Sequence, residues 1–213
     1  MSLNFSNSPY WDDFTTSKNF YRVLFKPGYA VQARELTQLQ TIAQSQISKL
    51  GDHIFQNHSV VSGAKCTVNV NVNYIKLNDI DANGNDIVAK NFSDATIKNA
   101  NNTVIAKVLN TAEKQIDNLG NLLDPPTLIV SYMSGDSFVS GDTIVVAGSE
   151  LTATVIPETS TYQPATGPAS IASITDGVFY IDGIFAQIQK QTVTIDEYSN
   201  SPSARIGISV TEN

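Results

Sequence analysis

The order of hydrophobic and polar positions separates the chain into an aromatic arm, one helix and a long β-rich part. The arm spans residues 1–30 and holds eight of the eighteen aromatic side chains of the chain. These eight are Phe5, Tyr10, Trp11, Phe14, Phe20, Tyr21, Phe25 and Tyr29. We expect an extended docking arm whose aromatic side chains are buried beneath the rest of the domain or against a partner.

Residues 31–56 are predicted to form the one long helix. Their apolar positions recur every three or four residues, which indicates a helix with a narrow apolar stripe. The stripe consists of Leu36, Leu39, Ala43, Ile47, Leu50 and Ile54. Its spacing is closer to an eleven-residue repeat than to a heptad, so any bundle should supercoil weakly. Gly51 is expected to end or kink the helix, because glycine is costly inside one.

After Ile54 the pattern becomes that of β-strands. Valine and tyrosine alternate with asparagine between Val68 and Tyr74, which predicts a half-buried strand. A polar insert follows that contains the turn Asn83-Gly84, and then short strands separated by Gly, Asp and Pro turn signals. Short strands at regular spacing are typical of a small antiparallel barrel or sandwich.

We therefore predict a mainly β fold with one long N-terminal helix, in which antiparallel small barrel or sandwich modules follow the aromatic arm. The β domain is assigned to residues 57–77 and 170–213. An inserted small β-barrel-like module is assigned to 78–156, and a Pro-rich linker to 157–169. Strand-like alternation runs to the last residue, which predicts that these 213 residues are the front of a longer protein.

Charge and composition narrow the classes of partner. Only 15% of the residues are charged, the formal net charge is −7 and the pI is about 4.7. The basic residues form no run, so a phosphate-binding surface is not expected and we predict no nucleic-acid partner. No stretch approaches the roughly 20 apolar residues of a membrane span, and we predict no membrane partner. The single cysteine, Cys66, rules out an intrachain disulfide.

Candidate metal ligands are sparse. His53 and His58 are five residues apart and would not share a helix face, so they are predicted to be exposed or capping residues. Asp79, Asp81 and Asn83 precede a glycine as in the start of an EF-hand loop, but Lys90 occupies the position that needs a bidentate glutamate. An Asx-rich hairpin tip is the favoured interpretation, and cation binding stays open.

Catalytic patterns are equally weak, and we predict neither an enzyme nor a cofactor. The chain has no Gly-x-Ser-x-Gly elbow. The adjacent carboxylates of Asp12-Asp13 and Asp196-Glu197 would point to opposite faces of a strand. Asp176 and Asp182 could converge across a hairpin as a glycoside-cleaving pair. Each of the two precedes a glycine, however, and Asp-Gly is a common hairpin dipeptide, so turns are favoured.

The segment "YWDDFTTSKNFYRVLFKPGYAVQARELTQLQTIAQSQISKLGDHIFQNHSVVSGA" resembles the N-terminal signature of an uncharacterised domain family of tailed-bacteriophage virion structural proteins, notably of cyanophages and other marine phages. Later segments, "GVFYIDGIFAQI" and "SARIGISVTE", resemble the same family. The resemblance implies a tail-fibre or baseplate-associated component, synthesised in the host cytoplasm and located in the virion. It also implies a homotrimer that binds other tail or baseplate proteins, and it supplies no catalytic residues.

Two hypotheses about function follow. In the first, the chain is an attachment module whose partner and oligomer contacts are Trp11, Phe20, Tyr21, Phe25, Leu36, Leu39, Ala43, Ile47 and Leu50. The helix stripe could pack three copies around an axis, or it could pack against its own β domain. The alternative is a receptor-binding protein or glycan depolymerase that uses Trp11 or the hairpin around Phe179 and Tyr180. Leu39→Asp or Ile47→Asp is predicted to prevent assembly or folding.

Overall fold

The computed structural model describes residues 6–81 and 83–211. They contain one α-helix, α1 (Ala33–Ile54), two one-turn 3-10 helices and thirteen strands. The strands are β1 (Ser59–Gly63), β2 (Cys66–Lys76), β3 (Thr96–Asn99), β4 (Ile105–Ala112), β5 (Gln115–Ile116), β6 (Leu122–Asp124), β7 (Thr127–Ser134), β8 (Thr143–Val146), β9 (Thr152–Thr154), β10 (Thr166–Ile174), β11 (Gly177–Ile181), β12 (Ile184–Ile188) and β13 (Gln191–Asp196). Every strand pair is antiparallel. The predicted fold class, mainly β after one long helix, is confirmed.

The chain divides into two compact units whose boundaries differ from the predicted ones. Among the described residues, the first unit comprises 6–65, 175–189 and 208–211. The second comprises 66–81, 83–174 and 190–207. The segments that the sequence assigned to a single β domain are thus shared between the two units, because strands far apart in sequence pair with one another in each unit.

The first unit combines the arm, α1 and a three-stranded sheet in the order β1-β11-β12. No strand lies in the described part of the arm, residues 6–32. The hairpin β11–β12 turns at Asp182 and Gly183, which both have positive φ, as a two-residue turn of this type requires. The helix continues through Gly51 to Ile54, so the expected break at this glycine is wrong. The hairpin β11–β12 packs so closely on this position that only a glycine fits there.

The second unit is built on an eight-stranded sheet with the order β13-β10-β2-β7-β4-β3-β8-β9. One face carries a large apolar cluster that includes Ile75, Leu77, Phe92 and Phe138. The other face carries a smaller cluster: Val72, Tyr74, Ile129, Ala169 and Ile171. The C-terminal half of β2 is therefore buried on both faces.

The alternating segment of β2 is a strand, as predicted, but its first half is not half-buried. Val68 and Val70 are 57% and 39% exposed. The reason lies in the register, because β7 pairs with β2 only from Asn73 to Lys76. Strand β10 pairs with the whole of β2, and it begins at Thr166, inside the segment predicted to be a linker.

Pro168 shows why that segment can be a strand despite its prolines. Pro168 is opposite Asn73 of β2, whereas β13 pairs with β10 only from Ser170 onward. Its missing N–H therefore lies on the side of β10 that has no neighbouring strand at this position, where proline is tolerated.

Candidate docking surface

Helix α1 contacts the hairpin β11–β12 of its own unit through Ser48, Gly51 and Asp52. Gly51 and Ile42 are buried on this helix. The ring of Tyr180 in β11 lies directly over Gly51 and is fully buried. Its hydroxyl lies 2.7 Å from Asp52 Oδ1 and 2.8 Å from the Ser48 carbonyl oxygen. Burial and then the Asp52 carboxylate raise the pKa of Tyr180, so the phenol stays a proton donor.

A small aromatic cluster completes this contact at the end of α1. Phe55 follows the helix, and its ring centroid lies 5.6 Å from that of Tyr180 and 5.7 Å from that of Phe185. The Tyr180 and Phe185 centroids are 5.3 Å apart. These separations are typical of favourable aromatic pairs. The hairpin β11–β12 is thus fixed to the helix by the buried Tyr180 ring, by the ring contacts with Phe55 and Phe185, and by hydrogen bonds.

The predicted apolar stripe of α1 is exposed. At 100° per residue, the stripe is centred on Ala43, and Thr41, Ser48 and Asp52 lie roughly half a turn away, whereas Gly51 lies about 80° from the centre. The large side chains of the stripe are all between 44% and 61% exposed, namely Leu36, Leu39, Ile47, Leu50 and Ile54. Ala43 is exposed as well. Among the described residues, neither buried apolar cluster contains a side chain of the stripe.

The arm is attached to α1 by two adjacent carboxylates. Asp12 is 4% exposed and accepts hydrogen bonds from the Thr41 hydroxyl and, at 3.0 Å, from the Phe14 N–H. Asp13 accepts one from the Gln38 side-chain amide at 2.7 Å. The sequence offered these two aspartates only as a poor acid/base pair. The structure shows that both carboxylates anchor the arm to α1. This role could not be predicted without knowing that Gln38 and Thr41 lie next to them.

Seven large apolar side chains of the arm are exposed, whereas Phe14 is partly buried and Phe5 lies outside the described residues. Their exposed fractions are 51% for Tyr10, 58% for Trp11, 47% for Phe20, 77% for Tyr21, 80% for Leu24, 44% for Phe25 and 68% for Tyr29. Of the two expectations for the arm, burial beneath the rest of the domain is wrong for these seven side chains. Leu24 is the most exposed of this group, and the sequence-based selection of contact residues omitted it.

A cavity of about 480 Å³ lies beside the hairpin β11–β12 in the same unit. Its walls are mostly apolar, with one histidine and one carboxylate. The lining residues are His58, Phe179, Ile181, Asp182, Ile184, Ile208 and Val210. Tyr180, named with Phe179 as a candidate for glycan contact, points instead into the contact with α1 and is not available to a ligand.

The cation-like loop at Asp81 is a closed turn, and the chain contains a second copy of it. Asp81 Oδ1 accepts the N–H groups of Asn83 and Asn85, both at 2.8 Å, and Oδ2 accepts the Asn85 side-chain amide at 3.1 Å. Asp117 makes the same set of bonds to residues 119 and 121. The shared pattern is Asp-x-x-Gly-Asn, with the glycine at positive φ. Backbone and amide donors therefore occupy both carboxylate oxygens.

Both turns should lower the pKa of their aspartates. Hydrogen bonds from Asn85 lower the pKa of Asp81, and those from Asn121 lower the pKa of Asp117, below the ordinary 3.8. A lowered folded-state pKa stabilises the turns above about pH 3.8, and this stabilisation is lost as the pH falls through the lower folded value. We expect NMR titration of both carboxyl carbons to give midpoints below those of unfolded five-residue peptides. Equal midpoints would contradict the bonding.

The remaining candidate metal ligands do not converge. Among residues 6–81 and 83–211, no group of three or more His, Cys, Asp or Glu side chains is placed to hold a metal ion. Cys66 is exposed at the start of β2.

The hairpin aspartates have structural partners. Asp182 Oδ1 accepts the Asn57 side-chain amide at 2.7 Å, and its own N–H donates to Asn57 Oδ1 at 2.9 Å. The carbonyl oxygen of Asp176 accepts the Ala64 N–H at 3.0 Å. Both aspartates therefore make the hydrogen bonds expected of turn residues.

Asp182→Asn should leave both fold and assembly nearly unchanged. Asparagine keeps the side-chain oxygen that faces Asn57 and tolerates positive φ almost as well as aspartate does. We expect the free energy of unfolding to change by less than about 0.5 kcal/mol. Urea unfolding of the two proteins side by side measures it, and a loss of function at unchanged stability would show that the carboxylate has a chemical role.

One charged cluster in the second unit escaped the sequence-based reasoning. Lys76 Nζ lies 3.3 Å from Asp124 Oδ1 and 4.3 Å from the Tyr198 ring centroid. The Tyr198 hydroxyl donates to Asp124 Oδ2. Burial, and to a lesser extent the Asp124 carboxylate, raises the pKa of Tyr198. The same two causes, in the same order, raise the pKa of Glu197. The cluster attaches the residues after β13 to β2.

Taken together, these features define a mainly β protein that has an exposed aromatic arm and an exposed helix stripe. Residues 8–108, which include most of the arm and all of α1, match a family described as a domain of unknown function (DUF4815). No curated protein and no solved structure matches the chain. Among the described residues, no helix is long and apolar enough to cross a membrane.

Proposed function

We propose that this chain is a structural component of a bacteriophage tail, a baseplate or tail-fibre protein whose N-terminal part attaches a fibre or spike to the tail. It acts as a homotrimer and binds other tail or baseplate proteins through the arm. The observation that carries the proposal is the outward exposure of the apolar side chains of the arm. The resemblance of residues 10–64 to virion structural proteins supports it.

The mechanism is attachment without turnover. Each large apolar side chain that moves from water into a partner's surface contributes roughly 1–2 kcal/mol when about half of it was already buried. Tyr21 and Leu24, which are 77% and 80% exposed, have the most to gain. Asp12 and Asp13 hold the start of the arm against α1, which reduces the entropy lost when the arm docks.

The test is binding of the purified chain to isolated tails that lack it. A variant with Tyr21→Ser and Leu24→Ser should bind at least about tenfold more weakly, because aromatic and aliphatic anchors dominate such contacts. A variant with Thr16→Ala and Arg22→Gln changes exposed polar positions of the same arm and should bind like the unmodified chain. The proposal fails if the chain binds no tail component, or if both variants bind equally well.

A second function, recognition or cleavage of host surface polysaccharide, is favoured by the cavity beside β11–β12. Phe179 offers an apolar wall, and His58 and Asp182 offer polar groups. Incubation of the chain with host polysaccharide distinguishes the two functions. Release of reducing ends supports cleavage, and saturable binding without release supports recognition. Absence of both would overturn this second function.

A further inference from the structure

We propose that Lys76 and Asp124 form a covalent amide cross-link, in which the lysine amine is joined to the aspartate side chain and water is released. The bond joins the end of β2 to β6 and closes a loop that contains β3, β4 and β5. All the groups that make it belong to the second unit. The cross-link is independent of the proposed attachment function and concerns how this unit is held together.

The two reacting groups already lie next to each other, largely shielded from water. Lys76 Nζ lies 3.3 Å from Asp124 Oδ1, and the two side chains are only 11% and 21% exposed. The backbone around them is fixed. The Lys76 N–H donates to the Ala165 carbonyl oxygen at 2.8 Å, and the Leu77 N–H donates to that of Pro126 at 2.8 Å. Groups held in contact in this way react as if they were present at very high concentration, which favours amide formation.

The surroundings of the pair favour a neutral product over two charges. The Lys76 amine lies 4.3 Å from the ring centroid of Tyr198 and 5.9 Å from that of Tyr74. These two rings meet edge to face, with their centroids 4.9 Å apart, and Tyr74 is buried. An ion pair in such a place has lost much of its hydration, and mutual attraction restores only part of that loss. An amide carries no charge and avoids this cost.

The reaction balances within the pair. The Lys76 ammonium group transfers a proton to Asp124 Oδ1 across their contact, which leaves an amine and a carboxylic acid. The nitrogen lone pair attacks Asp124 Cγ, so that the C–N bond forms and the Cγ–Oδ1 bond breaks. A second proton from the nitrogen leaves with Oδ1 as water, and the third stays on the amide nitrogen. Nothing is oxidised or reduced, and the net charge stays at −7 because one charge of each sign is lost.

Two neighbouring side chains assist this reaction. The Tyr198 hydroxyl donates to Asp124 Oδ2, the oxygen that remains as the amide carbonyl. This oxygen becomes negative when the nitrogen attacks, and a donor placed there stabilises the intermediate. Glu197 interacts electrostatically with both Asp124 and Lys76. Burial and then Asp124 raise the pKa of Glu197, so its carboxyl can carry the second proton from the nitrogen to the leaving oxygen.

Mass spectrometry of the denatured full chain tests the proposal. The unmodified chain should be lighter than its sequence mass by one water, about 18 Da. A tryptic digest should contain a branched peptide that joins Lys76 to Asp124. Lys76→Arg and Asp124→Ala should each have the full mass of their sequence, because each variant lacks one reacting group. Tyr198→Phe keeps the ring but removes the donor to Asp124, so the loss of water should be at least about tenfold slower.

An exposed ion pair of the same unit is the matched control. Lys114 Nζ lies 2.8 Å from Asp86 Oδ1, closer than in the proposed pair, but the two side chains are 27% and 66% exposed. Water solvates these charges, so we expect no cross-link between them. Lys114→Arg should therefore leave the loss of water unchanged.

Peptide mapping separates the proposed bond from another loss of water. An aspartate that precedes a glycine, such as Asp176 or Asp182, can lose water by cyclising onto the next backbone nitrogen. A loss that maps to such a site, or that persists in Lys76→Arg, overturns the proposal. A folded unmodified chain that keeps its full mass after prolonged incubation overturns it as well. A branched peptide between Lys76 and Asp124, absent from both single variants, supports it.

Discussion

Replacing Gly51 with alanine should destabilise the first unit by about 2 kcal/mol. A Cβ at this position would lie 2.4 Å from Tyr180 Cε2 and 2.6 Å from both Cζ and the hydroxyl oxygen. Overpacking of this kind costs up to about 3 kcal/mol. Alanine gains about 1 kcal/mol over glycine in the interior of a helix. The steric cost is the larger of the two, so a substitution that normally strengthens a helix should weaken this one.

The Tyr180 ring cannot move aside cheaply. It is fully buried, it packs against Phe55 and Phe185, and its hydroxyl is bonded to α1. Urea unfolding followed by the helical circular-dichroism signal, which α1 dominates, measures the loss. Gly207→Ala is the control, because nothing lies within 4 Å of its added Cβ and the change should stay below about 0.5 kcal/mol. An unchanged midpoint for Gly51→Ala would contradict the close contact with Tyr180.

This glycine also shows where sequence reasoning reached its limit. Propensity alone predicts a break at Gly51, because propensity treats a glycine as a local weakness. The actual reason is a ring from residue 180, brought close by strand pairing that no local pattern reveals. Pro168 is a similar case, since its tolerance depends on where β13 ends. Fold class, α1 and the Asp182-Gly183 hairpin were predictable because periodicity and turn chemistry are local.

The candidate surface was half predictable for a related reason. The period of α1 identified the stripe but not which way it faces, and both possibilities were left open. The most apolar face of a helix usually packs on its own core. Here two small residues beside the stripe, Ser48 and Gly51, let the hairpin approach α1 closely. Close approach depends on side-chain size, which a hydropathy pattern does not register.

Ile47→Asp should abolish self-association and leave the fold of the single chain intact. Ile47 is 52% exposed in the centre of the stripe, so an aspartate there stays in water as long as the chain is alone. In an oligomer packed through the stripe, each copy would bury this carboxylate in an apolar contact. Burying an unpaired charge costs at least about 3 kcal/mol, which weakens association by more than about 100-fold.

The expected result separates two outcomes that the sequence alone combined, loss of assembly and loss of folding. Light scattering should show a monomer, and the urea midpoint should match that of the dissociated unmodified chain. Leu39→Asp should behave in the same way, since this side chain is 44% exposed on the same stripe. Gln44→Asp is the matched control, because it adds the same charge to an exposed position of the same helix, off the stripe. It should keep the mass of the unmodified chain.

Each alternative result has a definite meaning for the surface. If Ile47→Asp remains oligomeric, the copies meet elsewhere, and the exposed side chains of the arm become the first surface to test. If the variant unfolds as a single chain, Ile47 belongs to a core and the packing of α1 on the hairpin β11–β12 is incorrect. If Gln44→Asp also dissociates, added negative charge rather than position is responsible, because the chain already carries a formal net charge of −7. Loss confined to the two stripe variants would assign self-association to this face of α1.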